Sequence, residues 1–142
     1  QDTGNEGLNA ALIKAVQECR EKEIRFRYVV MGRPDRIDSM DMGTLLYNLL
    51  SNGIEACMAV GTERELELVV REEDGTIEIF MENTISGSVL KNNPNLESRK
   101  QDKRYHGFGM ESIRGIIGKY QGHYSYREES GRFIQEIDLR DG

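Results

Sequence analysis

The chain has 142 residues, enough for one domain with a substantial core. Apolar residues make up 37% and charged residues 31%, with a net charge of −6. That acidic balance excludes a general nucleic-acid binder, whose surface must neutralise phosphates, and no apolar run is long enough to span a bilayer.

The first element is an amphipathic helix over residues 8–22, where Leu8, Ala11, Leu12, Ala15, Val16 and Cys19 recur at helical spacing. Gly4-Asn5 supplies its cap. Ile24, Phe26, Tyr28 and Val30 then alternate with Arg25, Arg27 and Val29, the pattern of a strand with one buried face. Gly32 and Pro34 end it. Asp38, Ser39 and Asp41 are candidate N-caps of a second helix that fades near Gly61. Two strands follow, carrying Leu66-Leu68-Val70 and Ile77-Ile79-Met81, and Asp74-Gly75 between them signals a tight hairpin. From Ser86 to His106 the chain is polar and irregular, a length that marks a lid or binding loop. Order resumes at Gly109 with a helix bearing Ile113, Ile116, Ile117 and Tyr120. A hairpin around Ser130-Gly131 closes the chain, with Tyr124-Tyr126 on one side and Phe133, Gln135, Ile137 and Leu139 on the other.

This order predicts one domain over residues 1–142. Its fold class is α/β (α+β): a two-layer sandwich with a mixed, largely antiparallel sheet and about three helices on one face. Cys19 and Cys57 lie on apolar helical faces outside any CxxC pair, which predicts buried small hydrophobes in a reducing compartment. No signal peptide is visible. The chain begins at Gln1 rather than Met, so the expectation is a piece of a longer protein.

Four features carry chemistry. In LLYNLLSNGIEAC, residues 45–57, Asn48, Asn52 and Glu55 form a polar stripe beside an apolar one. Carboxamide oxygens are hard ligands suited to Mg²⁺, although a stripe of this kind equally describes the solvated edge of an amphipathic helix. HGFGM, residues 106–110, opens a helix, where glycines admit a ligand to the backbone and the helix N-terminus attracts phosphate. In MENTISG, residues 81–87, Asn83 ends a strand and can pair with an amine edge, and Gly87 frees the turn. Arg99, Lys100, Lys103 and Arg104 give the long loop a basic cluster on an otherwise acidic chain. Each has a plain structural alternative, a turn, a loop or a solvated face.

Their order does not. An Asn-bearing helix, a strand ending in Asn with Gly four residues on, a long basic loop and a GxG opening a helix together resemble the GHKL ATPase superfamily with its Bergerat nucleotide-binding fold. DMGTLLYNLLSNGIEAC is similar to the N box of histidine kinases, and HGFGMESIRGIIGKYQG to their G2 box. The wording is most similar to the catalytic domains of peptide-pheromone-sensing histidine kinases, and the resemblance runs from Gly4 to Leu139.

The resemblance implies Mg²⁺ and ATP as ligands. It matches Asn52 to the Mg²⁺-binding Asn. Asn48 and Glu55, one turn to either side, become the candidate catalytic residues near phosphates or metal. Asn83 matches the residue that holds the adenine amino group, and Gly87 the second glycine of the G1 box. Residues 86–106 match the ATP lid, with Lys100 as candidate phosphate contact. His106, Gly107, Gly109 and Met110 fall in the G2 box. Two departures stand out: Asn83 replaces the usual Asp, and Ile85 the first G1 glycine. Gly53 stands where Ala is usual, at a cost of up to about 1 kcal/mol in a helix interior unless it permits a close approach.

Hydrolysing members of the superfamily place a Glu at the position of Asn48. An amide cannot take a proton at neutral pH, so Asn48 favours phosphotransfer over water activation. The acceptor histidine of such kinases lies on a separate dimerising helical hairpin. His106 and His123 are the only histidines here, and neither sits in such a helix. The implied partners are therefore an upstream phosphoacceptor domain and a response regulator, within a homodimeric sensor whose cytoplasmic part this is. Any membrane anchor would lie upstream. A nucleotide-free interaction module and an anti-sigma-type serine kinase are the alternatives on the same fold.

Overall fold

The computed structural model describes residues 2–97 and 109–140. Helix α1 spans Glu6–Glu21, starting two residues before the predicted onset because Asn5 is a firm cap. The Asn5 side chain accepts from the Leu8 N–H at 3.1 Å and donates to the Pro34 and Ile37 carbonyls, both at 2.9 Å. One buried carboxamide thus starts α1 and ties down the loop leading to α2.

Strand β1 spans Arg25–Met31 and helix α2 Ser39–Met58, ending before the predicted Gly61. Of the three candidate caps for α2, Asp38 is the one used; it accepts from the Asp41 N–H at 3.1 Å. Strands β2, Glu65–Glu73, and β3, Thr76–Thr84, turn on Asp74-Gly75, both at positive φ as a two-residue hairpin demands. Helix α3 spans Met110–Lys119. Strands β4, His123–Glu129, and β5, Arg132–Arg140, turn on Ser130-Gly131, again both at positive φ.

The sheet order is β1-β2-β3-β5-β4. Only β1 and β2 pair in parallel, joined through α2; the other pairs are antiparallel. The result is a three-helix, five-strand mixed open sandwich, as the element order predicts. The core lies between Leu45, Leu46, Leu49, Leu50 and Ile54 of α2 and the inner face of the sheet, Leu66, Leu68, Val70, Ile77, Ile79, Met81, Ile137 and Leu139. Each buried aliphatic contributes about 1.5–3 kcal/mol. Cys19 and Cys57 are buried and unpaired by disulfide, as predicted.

Gly53 resolves one departure noted in the sequence. A Cβ there would lie 2.8 Å from Leu66 Cδ1 and 3.3 Å from Met81 Cε, so its absence lets α2 sit close on the sheet beside Asn83. No described helix is long and apolar enough to cross a membrane.

Candidate functional site

At the edge of the core, where α2, β3, β5 and the start of α3 meet, the sandwich opens into a cavity of about 230 Å³. Asn52, Glu55 and Ala56 form its α2 wall, and Met110 stands at its α3 end. Asn83, Phe133 and Gln135 come from the sheet, while Ile85, Val89 and Leu96 bring apolar surface from the loop after β3. An apolar slot with a few convergent polar groups is the form of a small-molecule site, and this volume suits a flat heterocycle rather than a whole nucleotide.

Two carboxamides lie in this apolar setting. Asn83 is 1% exposed and Gln135 3%. The Asn83 amide nitrogen donates to the Thr84 carbonyl at 3.1 Å, a partner that can only accept. Its oxygen therefore faces the other way, and no described residue donates to it. A buried acceptor without a donor is costly unless a ligand or water supplies one. Gln135 Oε1 accepts from the Tyr124 hydroxyl at 2.5 Å. Burial pushes the Tyr124 phenol well above its ordinary pKa, which keeps it protonated as a donor.

The predicted site residues divide into three groups. Asn52, Glu55, Asn83 and Met110 line the cavity together. The Asn52 amide nitrogen lies 3.9 Å from Met110 Sδ, bridging α2 and α3. Asn48, Gly87 and Gly109 do not line it. Asn48 is buried one turn before Asn52, donating to the Thr44 carbonyl at 2.9 Å, and its amide lies directly beneath Gly109. A Cβ on Gly109 would sit 2.2 Å from Asn48 Oδ1, so the absence of a side chain there seats α3 on α2. Gly87 turns the chain after β3 at φ +71°. Lys100, His106 and Gly107 lie outside the described residues, as do Arg99, Lys103 and Arg104.

The loop from 85 to 97 carries no helix or strand, yet it is pinned. The Glu128 carboxylate accepts from the Ser88 hydroxyl at 2.8 Å and from the Val89 and Leu90 N–H groups at 2.5 and 2.8 Å. Burial raises the Glu128 pKa, but these donors outweigh it and hold the carboxyl below its ordinary range. Tyr126 donates to the Pro94 carbonyl at 2.8 Å, and Arg114 of α3 to that of Asn95 at 2.7 Å. Val89 and Leu96 are thereby held against the cavity.

The sequence reading missed Gln135, Phe133 and the loop apolar residues as cavity lining. Gln135 carried a readable signal: a lone polar side chain in phase with Phe133, Ile137 and Leu139 on the buried face of β5.

The residues present fit a flat group with an amine edge, since the buried Asn83 oxygen has no donor among the described residues. Among the described residues, no group of three or more His, Cys, Asp or Glu side chains could hold a metal. An ion at Asn52 would therefore draw on amide oxygen, water and phosphate, a donor set that suits Mg²⁺. Gly109 caps α3 with no side-chain hydrogen bond, so the first-turn N–H groups can meet an anion.

The family model of the GHKL domain matches residues 37–140, and the chain belongs to that family. No curated protein sequence matches it. Among solved structures, the chain is similar to the catalytic domain of histidine kinase ThkA in a nucleotide-free form, with TM-score 0.75 and 15% identity over 96% of this chain and 91% of that one. It is also similar to the mycobacterial sensor histidine kinase MprB, with TM-score 0.66 and 15% identity over 95% and 93%. A third is the histidine kinase domain of a blue-light activated kinase from Erythrobacter litoralis, with TM-score 0.68 and 14% identity over 89% and 57%. The structural similarity shows a shared fold, that of histidine kinase catalytic domains.

Proposed function

We propose that this domain binds Mg–ATP in the cavity between α2, β3, β5 and α3, and serves as the catalytic domain of a sensor histidine kinase. The observation that carries the reading is the buried Asn83 oxygen, an acceptor with no donor among the described residues, in the same cavity as Asn52 and Met110 of the first turn of α3. Asn83 Oδ1 accepts from the adenine amino group. Ile85, Val89, Leu96 and Phe133 cover the base and exclude water. Asn52 presents its amide oxygen to Mg²⁺, and Glu55 stands one turn further along the same wall. Mg²⁺, when bound, supplies neutralisation of phosphate charge. The first-turn N–H groups of α3, with Gly109 and Met110, receive the phosphates. His106, Gly107 and Lys100 belong to this phosphate end by resemblance, in a lid spanning about residues 86–106.

Asn48 supports transfer to a protein group rather than to water. Its amide nitrogen is engaged with the Thr44 carbonyl, and an amide provides no base for activating water. In the intact protein the γ-phosphoryl passes to a histidine on a separate helical domain, and from there to a response regulator. The reading extends to a homodimeric, membrane-anchored sensor of the peptide-pheromone type, with this domain in the cytoplasm.

Calorimetric titration with a non-hydrolysable ATP analogue, with and without Mg²⁺, tests the reading. The expected result is saturable, Mg²⁺-dependent binding that weakens in Asn52→Ala. Absence of binding at millimolar nucleotide overturns it.

A further inference from the structure

Gln135 and Asn83 lie on adjacent antiparallel strands. Gln135 pairs with Met81 and Asn83 with Phe133, so the two carboxamides occupy diagonal positions on one sheet face. Diagonal neighbours are about 7–8 Å apart, within reach of long side chains converging on one ligand edge. Both side chains line the cavity and both are more than nine-tenths buried.

Their free ends are complementary. The Asn83 nitrogen donates to the Thr84 carbonyl, which orients the amide, and its oxygen has no donor among the described residues. The Gln135 amide is oriented by Tyr124: the contact of 2.5 Å is within the O–H···O range and below that of N–H···O, so the hydroxyl meets Oε1. Gln135 Nε2 is then a buried donor with no acceptor among the described residues. On the sheet wall of the cavity, one acceptor and one donor thus stand near each other beside Phe133 and the apolar loop residues Ile85, Val89 and Leu96.

We infer that Gln135 is a base-specificity residue: its Nε2 donates to the adenine ring nitrogen flanking the amino group that Asn83 Oδ1 accepts, so the two amides read an amine-then-acceptor edge as a pair. This rests on the nucleotide reading above. An edge bearing an oxygen and a ring N–H at the same two positions meets acceptor with acceptor and donor with donor. Tyr124 is a positioning residue, fixing which end of Gln135 faces the ligand.

The test uses the intact domain and four triphosphates: ATP, 1-deaza-ATP, 7-deaza-ATP and GTP. The expected result is that one deaza analogue binds about tenfold more weakly than ATP, the loss of one hydrogen bond with a buried donor left unpaired, while the other binds like ATP. GTP should bind more weakly still. In Gln135→Leu, with folding checked by thermal melting, ATP should fall to the level of the weaker analogue and the difference between the two should vanish. Tyr124→Phe should narrow it, because the amide is then free to turn. If both deaza analogues bind the unaltered protein as ATP does, or Gln135→Leu keeps full ATP affinity, the role of Gln135 is refuted while the nucleotide site stands. If the unaltered protein binds none of the four, the nucleotide reading itself falls, and this inference with it.

Discussion

Gly109→Ala isolates the junction between α2 and α3. Gly109 has a negative φ, −66°, so alanine does not meet the left-handed strain that glycine relieves, and its main effect is steric. The new Cβ would lie 2.2 Å from Asn48 Oδ1 and 2.3 Å from its Cγ, so about 1 Å of relief is needed. The Asn48 side chain has little freedom, being 8% exposed and bonded to the Thr44 carbonyl. Turning it breaks that bond and leaves a buried amide unpaired, at about 1–3 kcal/mol. Lifting the first turn of α3 instead withdraws Met110 and the fully buried Ile113 from the core, with an overpacking cost of similar size. The expected destabilisation is about 2 kcal/mol by urea unfolding, or about 7 °C in Tm for a domain of this size. Asn48→Ala in the same chain removes the clashing amide, so the double variant should recover at least about 1 kcal/mol over the additive sum. A Gly109→Ala protein as stable as the wild type, or a strictly additive double variant, refutes the argument.

Other changes test the remaining contacts. Asn83→Ala removes the cavity acceptor and should weaken ATP-analogue binding about tenfold or more, with the fold intact by circular dichroism. Glu128 holds the 88–90 segment as a carboxylate with a lowered pKa, so its contribution is complete above its ordinary value of 4.5 and is lost as pH falls through the lower folded value. The amide NMR signals of Val89 and Leu90 should therefore shift as acidification passes below 4.5, and Glu128→Gln should abolish that step. Asp41 accepts from Lys119 at 2.7 Å and from the Tyr120 hydroxyl at 2.5 Å, which lower its pKa and join the start of α2 to the end of α3. Asp41→Asn should cost about 1 kcal/mol at neutral pH by urea unfolding. The difference should shrink as acid protonates the wild-type carboxylate.

The elements set by local chemistry were legible in the sequence. Asp74-Gly75 and Ser130-Gly131 supply two consecutive positive-φ residues, so both hairpins and their strands could be read. The spacing of Leu45, Leu49 and Asn52 placed α2 and its polar edge, and Asn83 stood out at a strand end. Long-range contacts left no such trace. Glu128 meets Ser88 and Leu90 across 38 to 40 positions, and the parallel pairing of β1 with β2 has no turn to announce it. Gln135 is intermediate: its phase on β5 marked it as inward-facing, but only the contact with Tyr124 gives its amide a direction. Gly53 read as a helix weakness unless it permitted a close approach, and Gly109 as an opening for a ligand; the close contacts at both are with this chain's own side chains, Leu66 and Asn48.

The most direct test of the central claim is an NMR titration of the ¹⁵N-labelled domain with a non-hydrolysable ATP analogue and Mg²⁺. Binding in the cavity predicts saturable shifts clustered at Asn52–Ala56, Asn83–Ile85, Met110 and Phe133–Gln135. Saturable shifts confined to the opposite sheet face, around Val69, Phe80 and Ser125, or no shifts at millimolar analogue, would contradict it.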